Sequence, residues 1–215
     1  MRLKLFPPTS LAVLLVFSAC PIVAQVSPAG LVKTLPLNVG VGFSSYDSNI
    51  GNGPLSAGND RLGGATLWMD YDLGFLPGRL QGLGLAVQGR DLNMSQPTGQ
   101  PFLREDVGSG GAIYRWNRFF EVRPYGEFLM GFGNVDYLSP SGLHYHQTRT
   151  VTTAGGGAEF DAYHHLWVRA DYEYEWWPNF FISYASLNGK DPAAALHPQG
   201  VTLGFSYHFN QNESR

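Results

Sequence analysis

The chain has 215 residues and a net charge of −3, and only 14% of its residues are charged, against about 25% in an average soluble domain. That length suits one domain, and the weak acidic balance excludes the basic footprint of a nucleic-acid binder. With 44% apolar residues, including 5 Trp, 11 Tyr and 14 Phe, it is too apolar for a disordered chain.

Residues 1–24 read as a secretory signal peptide. Arg2 and Lys4 precede an apolar run from Leu11 to Phe17, and a small-residue exit ends at Ala24. The run is too short for a spanning helix, and no other apolar run approaches the roughly 20 residues such a helix needs. Cys20 is the sole cysteine. FSAC is similar to a lipobox, yet Phe17 stands where such boxes carry Leu and Pro21 follows, so Cys20 is read as part of the discarded segment. No disulfide framework is expected.

Eight strands with period-two alternation follow. The first, LNVGVGFSS at 37–45, sets Leu37, Val39, Val41 and Phe43 against Asn38, Gly40, Gly42 and Ser44. The second, at 61–73, sets Ala65, Leu67, Met69, Tyr71 and Leu73 against Gly64, Thr66, Trp68, Asp70 and Asp72. The third, at 82–91, sets Leu83, Leu85 and Val87 against Gly84, Ala86, Gln88 and Arg90. In the fourth, at 105–116, glycines blur both faces. The fifth, at 123–134, separates Phe128, Met130 and Phe132 from Tyr125, Glu127, Leu129, Gly131 and Gly133. The sixth, at 150–162, is glycine-rich, with Glu159 and Phe160 on opposite faces. The seventh, LWVRADYEYEWW at 166–177, has Leu166, Val168, Ala170, Tyr172, Tyr174 and Trp176 on one face, and Arg169, Asp171, Glu173 and Glu175 on the other. The eighth, at 200–209, alternates Val201, Leu203, Phe205, Tyr207 and Phe209 with Thr202, Gly204, Ser206 and His208.

No helix of useful length interrupts the strands, so the pattern predicts an all-β, eight-stranded antiparallel up-and-down transmembrane barrel over 35–209, with a polar tail at 210–215. Connections at 47–60, 93–103, 137–149 and 178–198 read as long, and those between them as short, which sorts one end outward and the other toward the periplasm. A soluble sandwich has no reason to expose glycine-rich polar strand faces, because glycine weakens a strand. In a narrow barrel the same glycines leave room for the large residues opposite. Aromatics at the strand ends read as two girdles: Tyr46, Tyr137, Trp176 and Trp177 at the long-loop end, and Phe75, Trp116, Phe119, Phe120, Tyr163, Trp167, Tyr207 and Phe209 at the other.

The last strand carries polar–x–Gly–x–x–apolar–x–aromatic, filled by Thr202, Gly204, Tyr207 and Phe209. With RPYGEFLMGFG and WVRADYEYEWWP, it resembles the small eight-stranded outer-membrane barrels of Gram-negative bacteria, the OmpA-like transmembrane, or porin-family, β-barrel. The signal peptide implies export by a Sec-type route, and the resemblance implies a place in the bacterial outer membrane. It also implies recognition of the last strand by the barrel assembly machinery, and contact with outer-membrane lipid and lipopolysaccharide as a monomer. The chain departs from many members by continuing past Phe209. No peptidoglycan-binding domain follows, so peptidoglycan anchoring is not implied.

The candidate site is a polar network in the lumen formed by Arg90, Glu127, Glu159, Arg169, Asp171 and Glu173, with Glu159 and Arg169 placed to pair across strands. Such a network reads first as a structural plug and second as a gate whose ion pairs exchange. His144 and His146 form an H-x-H without a third ligand nearby, so no metal site is assigned. No catalytic residues and no cofactor are assigned. The leading expectation is a non-enzymatic barrel contributing to envelope integrity with at most restricted small-solute passage. The alternatives are surface recognition through the four long loops and, third, a lipid-modifying barrel enzyme.

Overall fold

The computed structural model describes residues 36–48, 61–94, 102–116, 119, 121–138, 144–180 and 194–209. The segments read as signal peptide and as polar tail lie outside these residues. Nine strands are formed among these residues: β1 (Leu37–Asp47), β2 (Arg61–Asp72), β3 (Leu83–Asn93), β4 (Phe102–Arg115), β5 (Val122–Leu138), β6 (His144–Tyr163), β7 (Leu166–Phe180), β8 (Ala194–Leu196) and β9 (Gln199–His208). Each is antiparallel to its neighbours, in the order β6-β5-β4-β3-β2-β1-β9-β7, and β7 pairs back onto β6. That last pairing closes an eight-stranded barrel, while three-residue β8 adds only to the end of β7. Closure satisfies the backbone of every barrel strand within the sheet, which lets it stand in lipid.

Alternation sets which side chains face out. Val41, Phe43, Leu67, Leu85, Val87, Phe128, Met130, Phe132, Leu203 and Phe205 are exposed on the outer surface. The residues between them are buried: Ser44, Thr66, Trp68, Asp70, Gln88, Arg90, Leu129, Thr202 and Ser206. A continuous apolar exterior around a polar interior is the arrangement of a barrel solvated by lipid.

The inward glycines lie against large side chains. A Cβ on Gly40 would enter the Trp68 indole, and one on Gly42 would come within 3.1 Å of it. Gly133 faces the Trp177 ring, Gly200 faces Tyr46, and Gly155 would place a Cβ 2.8 Å from Glu173 Cγ. Close packing of the lumen is therefore shared between a few large residues and the glycines opposite them.

Two expectations for the β5–β6 region are corrected. The β5–β6 connection is not a long loop at 137–149, because the two strands pair as far as Leu138↔His144 and leave only 139–143 between them. Strands of 17 and 20 residues outrun the 9–11 needed to cross a bilayer. Their ladder continues in water through outward polar pairs, with His146 Nδ1 2.5 Å from Asp136 Oδ1 and Thr148 Oγ1 donating to Asn134 Oδ1 at 3.3 Å. His144 and His146 thus lie on a strand. At the other end, the β2–β3 connection carries a 3-10 turn, Gly78–Gly82, while β6 and β7 join through a tight turn with His164 at φ 48°.

The girdles are also corrected. Tyr46, Trp167 and Trp177 are buried in the lumen, at 0%, 3% and 0% exposure. A strand-end aromatic joins an outer girdle only if its parity faces out. Phe75, Trp116, Phe119, Tyr163, Trp176, Tyr207 and Phe209 are exposed. Phe120, and the side chain of Tyr137, lie outside what is described.

Candidate functional site

The barrel interior is layered. At the long-loop end an apolar cap is built from Tyr46, Leu62, Leu92, Leu103, Val107, Val135, Val151, Trp177 and Leu196. Below it lies a ladder of three arginines, each from a different strand and each buried among carboxylates.

Arg90, on β3, occupies the outermost rung. Its Nη1 donates to Glu173 Oε2 at 3.1 Å, and its Nη2 is bonded to Glu175. The guanidinium lies 4.0 Å from the centre of the Tyr46 ring, which adds a cation–π contact. Glu173 also accepts from the Tyr46 hydroxyl and Gln88 Nε2, both at 2.7 Å, and Glu175 accepts from Trp177 Nε1 at 2.7 Å. Glu105 is buried against Glu175.

Arg169, on β7, forms the middle rung. It donates to Asp171 at 2.9 Å, to Asp70 at 3.2 Å, and through Nη2 to both oxygens of Glu127 at 3.1 and 3.2 Å. Its guanidinium also faces the rings of Tyr125 and Trp68, at 4.5 and 4.8 Å. The Tyr125 hydroxyl donates to Asp171 at 2.7 Å.

Arg115, at the end of β4, forms the innermost rung. It donates to Asp70 at 2.5 Å, Asp72 at 2.7 Å and Glu159 at 3.2 Å. Asp70 Oδ2 accepts from both Arg115 and Arg169, so it ties the two rungs together. Glu159 stands directly across the ladder from Arg169, but its ion pair is made with Arg115. The expected Glu159–Arg169 pair is thus corrected. A guanidinium of Arg length reaches across the lumen, where Asp70 and Glu127 offer better geometry than the neighbouring strand.

Of the six lumen residues singled out from sequence, all lie in this ladder: Arg90 and Glu173 in the outer rung, Arg169, Glu127 and Asp171 in the middle, Glu159 in the inner. The set is incomplete without Asp70, Asp72, Glu105, Arg115 and Glu175. Asp70, Asp72 and Glu175 carried a signal, since alternation already put them on the polar face. Arg115 and Glu105 share the inward parity of β4, but the glycines between them hid it. In the last strand, Thr202 and Gly204 point inward, with Thr202 Oγ1 2.8 Å from Ser44 Oγ, whereas Tyr207 and Phe209 are exposed.

Among the described residues, seven buried carboxylates therefore surround three buried guanidiniums. Partners are shared within and between rungs in a low-dielectric space, so the rungs hold one another in place. Past Arg115 the lumen opens at the short-turn end into a cavity of about 540 Å³ lined by Gly74, Gln81, Gly82, Arg115, Trp116, Arg123 and Trp167.

A closed antiparallel barrel with an apolar exterior and an ionic interior defines an integral membrane protein of the outer-membrane type. The outer membrane protein beta-barrel domain matches residues 9–209, and the chain belongs to that family and to the bacterial outer membrane. Among solved structures, Neisserial surface protein A is 14% identical with a TM-score of 0.53, over 80% of this chain and 95% of that one. Ail, the attachment invasion locus protein of Yersinia pestis, is 15% identical with a TM-score of 0.51, over 80% and 97%. A major outer membrane protein from Thermus thermophilus is 12% identical with a TM-score of 0.52, over 80% and 98%. At these identities the likeness is one of fold. No curated protein matches the chain.

Proposed function

We propose that this is a non-enzymatic outer-membrane barrel with a closed lumen, contributing to envelope integrity and admitting at most very small solutes. The observation that carries the reading is the stack of an apolar cap over three rungs of buried arginine–carboxylate bonds. Water and ions could pass only if several of those bonds were exchanged at once. Residues 1–24 support export by the Sec route, and Thr202, Gly204, Tyr207 and Phe209 support delivery by the barrel assembly machinery. The apolar outer belt supports a monomer held by outer-membrane lipid and lipopolysaccharide.

An enzyme acting on lipid fits less well. Among the described residues, the nearest approach to a nucleophile pair is Ser206 Oγ, 3.1 Å from His208 Nε2. Both residues point into the lumen, 1% and 3% exposed, so lipid does not reach them. Glu159, 4.0 Å away, lies on that same Nε2, leaving it no role as an orienter of the other ring nitrogen.

A second reading, surface recognition, is favoured by the β5–β6 hairpin, which runs well past the apolar belt and presents Asp136, His146 and Thr148. The structurally similar Ail is named for attachment and invasion. Purified protein inserted into planar bilayers tests the closed lumen. The expected trace shows no steady conductance above that of the bare membrane, whereas a stable open level in most insertions would overturn it. Binding to host-cell surfaces that is lost when residues 139–143 are replaced by a short glycine turn would support recognition.

A further inference from the structure

The three rungs are not joined alike. Asp70 links the inner and middle rungs by sharing an oxygen between two arginines. Between the middle and outer rungs there is no such shared acceptor among the described residues. There, Glu127, Asp171 and Glu173 each offer a carboxylate oxygen, and the three oxygens lie within 4.8 Å of one another. All three residues are buried. Like charges at that separation repel strongly where water is scarce.

Two further oxygens sharpen this. Asp171 Oδ2 accepts from Arg169 and Tyr125, but buried Oδ1 has no donor among the described residues. Gln88 is not part of the acidic group. It is 5% exposed and rests its Nε2 on Glu173 Oε1 at 2.7 Å, while the carbonyl oxygen of the same amide has no donor among the described residues. A buried amide oxygen and a buried carboxylate oxygen without donors call for a positive partner. The arginines do not supply it, since seven buried carboxylates share three of them.

We propose that Glu127, Asp171 and Glu173, with the Gln88 carbonyl beside them, form a binding site for a calcium-like divalent cation in the middle of the barrel. The donors are oxygens only, which selects a hard cation. Opposed oxygens around Ca²⁺ are about 4.6–5.2 Å apart, twice a bond of 2.3–2.6 Å, whereas around Mg²⁺ they are about 4.0–4.2 Å apart. Three oxygens within 4.8 Å of one another can all reach one ion at calcium bond lengths, and Mg²⁺, which sheds its water reluctantly, is less suited to a site walled by protein. The bound cation ties Glu127 and Asp171 of the Arg169 rung to Glu173 of the Arg90 rung, and so fastens the junction that has no shared acceptor. This goes beyond the closed-lumen reading and does not depend on it, because a barrel that conducts can still hold the ion.

The test uses the refolded full barrel in detergent micelles, with folding verified by the heat-dependent shift of its gel mobility. Terbium serves as the probe, because Tyr125 donates to Asp171 and can sensitise a lanthanide bound there. The expected result is saturable terbium luminescence, displaced by calcium more readily than by magnesium. The thermal unfolding midpoint should also rise with the logarithm of calcium concentration and fall on chelation. Asp171→Asn and Glu127→Gln should each weaken terbium binding at least tenfold and remove the calcium dependence. Either one suffices if the other fails to fold. Asp91→Asn, on the outer surface, should change neither. Luminescence absent in the wild type, a midpoint indifferent to calcium, or loss caused equally by Asp91→Asn would overturn the site. The first two outcomes would mean that the carboxylates are held together by protons, and the third that the ion sits outside the barrel.

Discussion

Removing Arg169 tests whether the lumen is a bonded core or a watery channel. Arg169 is 1% exposed and holds three carboxylates, which differ in what remains once it is gone. Asp70 keeps Arg115 at 2.5 Å, and Asp171 keeps the Tyr125 hydroxyl at 2.7 Å. Glu127 has no other hydrogen-bond partner among the described residues. The cost of Arg169→Met is therefore set mainly by stranding one buried carboxylate, about 3–5 kcal/mol. The methionine occupies most of the arginine stem's volume, so little of that cost comes from a cavity. In the double variant Arg169→Met, Glu127→Gln the stranded charge is gone. The two single changes should then be non-additive, with the double variant recovering at least about 2 kcal/mol. Guanidinium unfolding in micelles with chelator present, followed by tryptophan fluorescence, gives all four corners of the cycle. An Arg169→Met protein within about 1 kcal/mol of wild type, with additive singles, would show that water solvates Glu127 and that the ladder does not hold the barrel together.

Three further outcomes follow from the same geometry. Val87→Arg, on the outer face of β3 at 54% exposure, should lower stability in liposomes by about 2–4 kcal/mol, and Val168→Arg, nearer the short-turn end, by about 2 kcal/mol; a reversed order would contradict the depth assigned to each. Gly40→Val should cost about 1–3 kcal/mol by forcing Trp68 out of its place, and an unchanged near-UV tryptophan signal would count against that packing. Phe209→Ala should reduce the amount of heat-modifiable barrel in the outer membrane of cells more than removal of residues 210–215 does; equal insertion of Phe209→Ala and wild type would remove Phe209 from the assembly signal.

The face assignment was legible from LWVRADYEYEWW alone, because a period of two admits only two faces and the charges all fell on one. What was not legible was who pairs with whom. Arg90 meets Glu173 across 83 residues of sequence and Arg115 meets Asp70 across 45. Those meetings are set by how the sheet closes, which brings opposite walls of the lumen together. Neighbouring positions on adjacent strands, such as Glu159 and Arg169, suggest a partner that longer side chains pass over. Glycine had the opposite effect in two places. In β4 it hid the parity of Glu105 and Arg115, while in β1 and β5 it marked where Trp68 and Trp177 needed space.

The girdle error and the long hairpin have one physical source. Along the part of a strand that stands in lipid, the outward face must be apolar, so the inward face is free to be ionic, and Val87 faces out beside Arg90 facing in. Where the strand leaves the bilayer, its outward face meets water, and the requirement changes sides. Asp91, Arg104 and Asp106 pair on the outside there, at 2.9 and 3.1 Å, while Leu92, Leu103 and Trp177 fill the inside. On β3 the exchange takes place between Arg90 and Leu92, two successive inward positions. That polarity switch marks the outer edge of the membrane more sharply than the aromatics do. It also explains why the lumen is ionic only at membrane depth: above the switch the barrel is packed as a water-soluble sheet protein is packed, and its apolar cap is the core of that second environment.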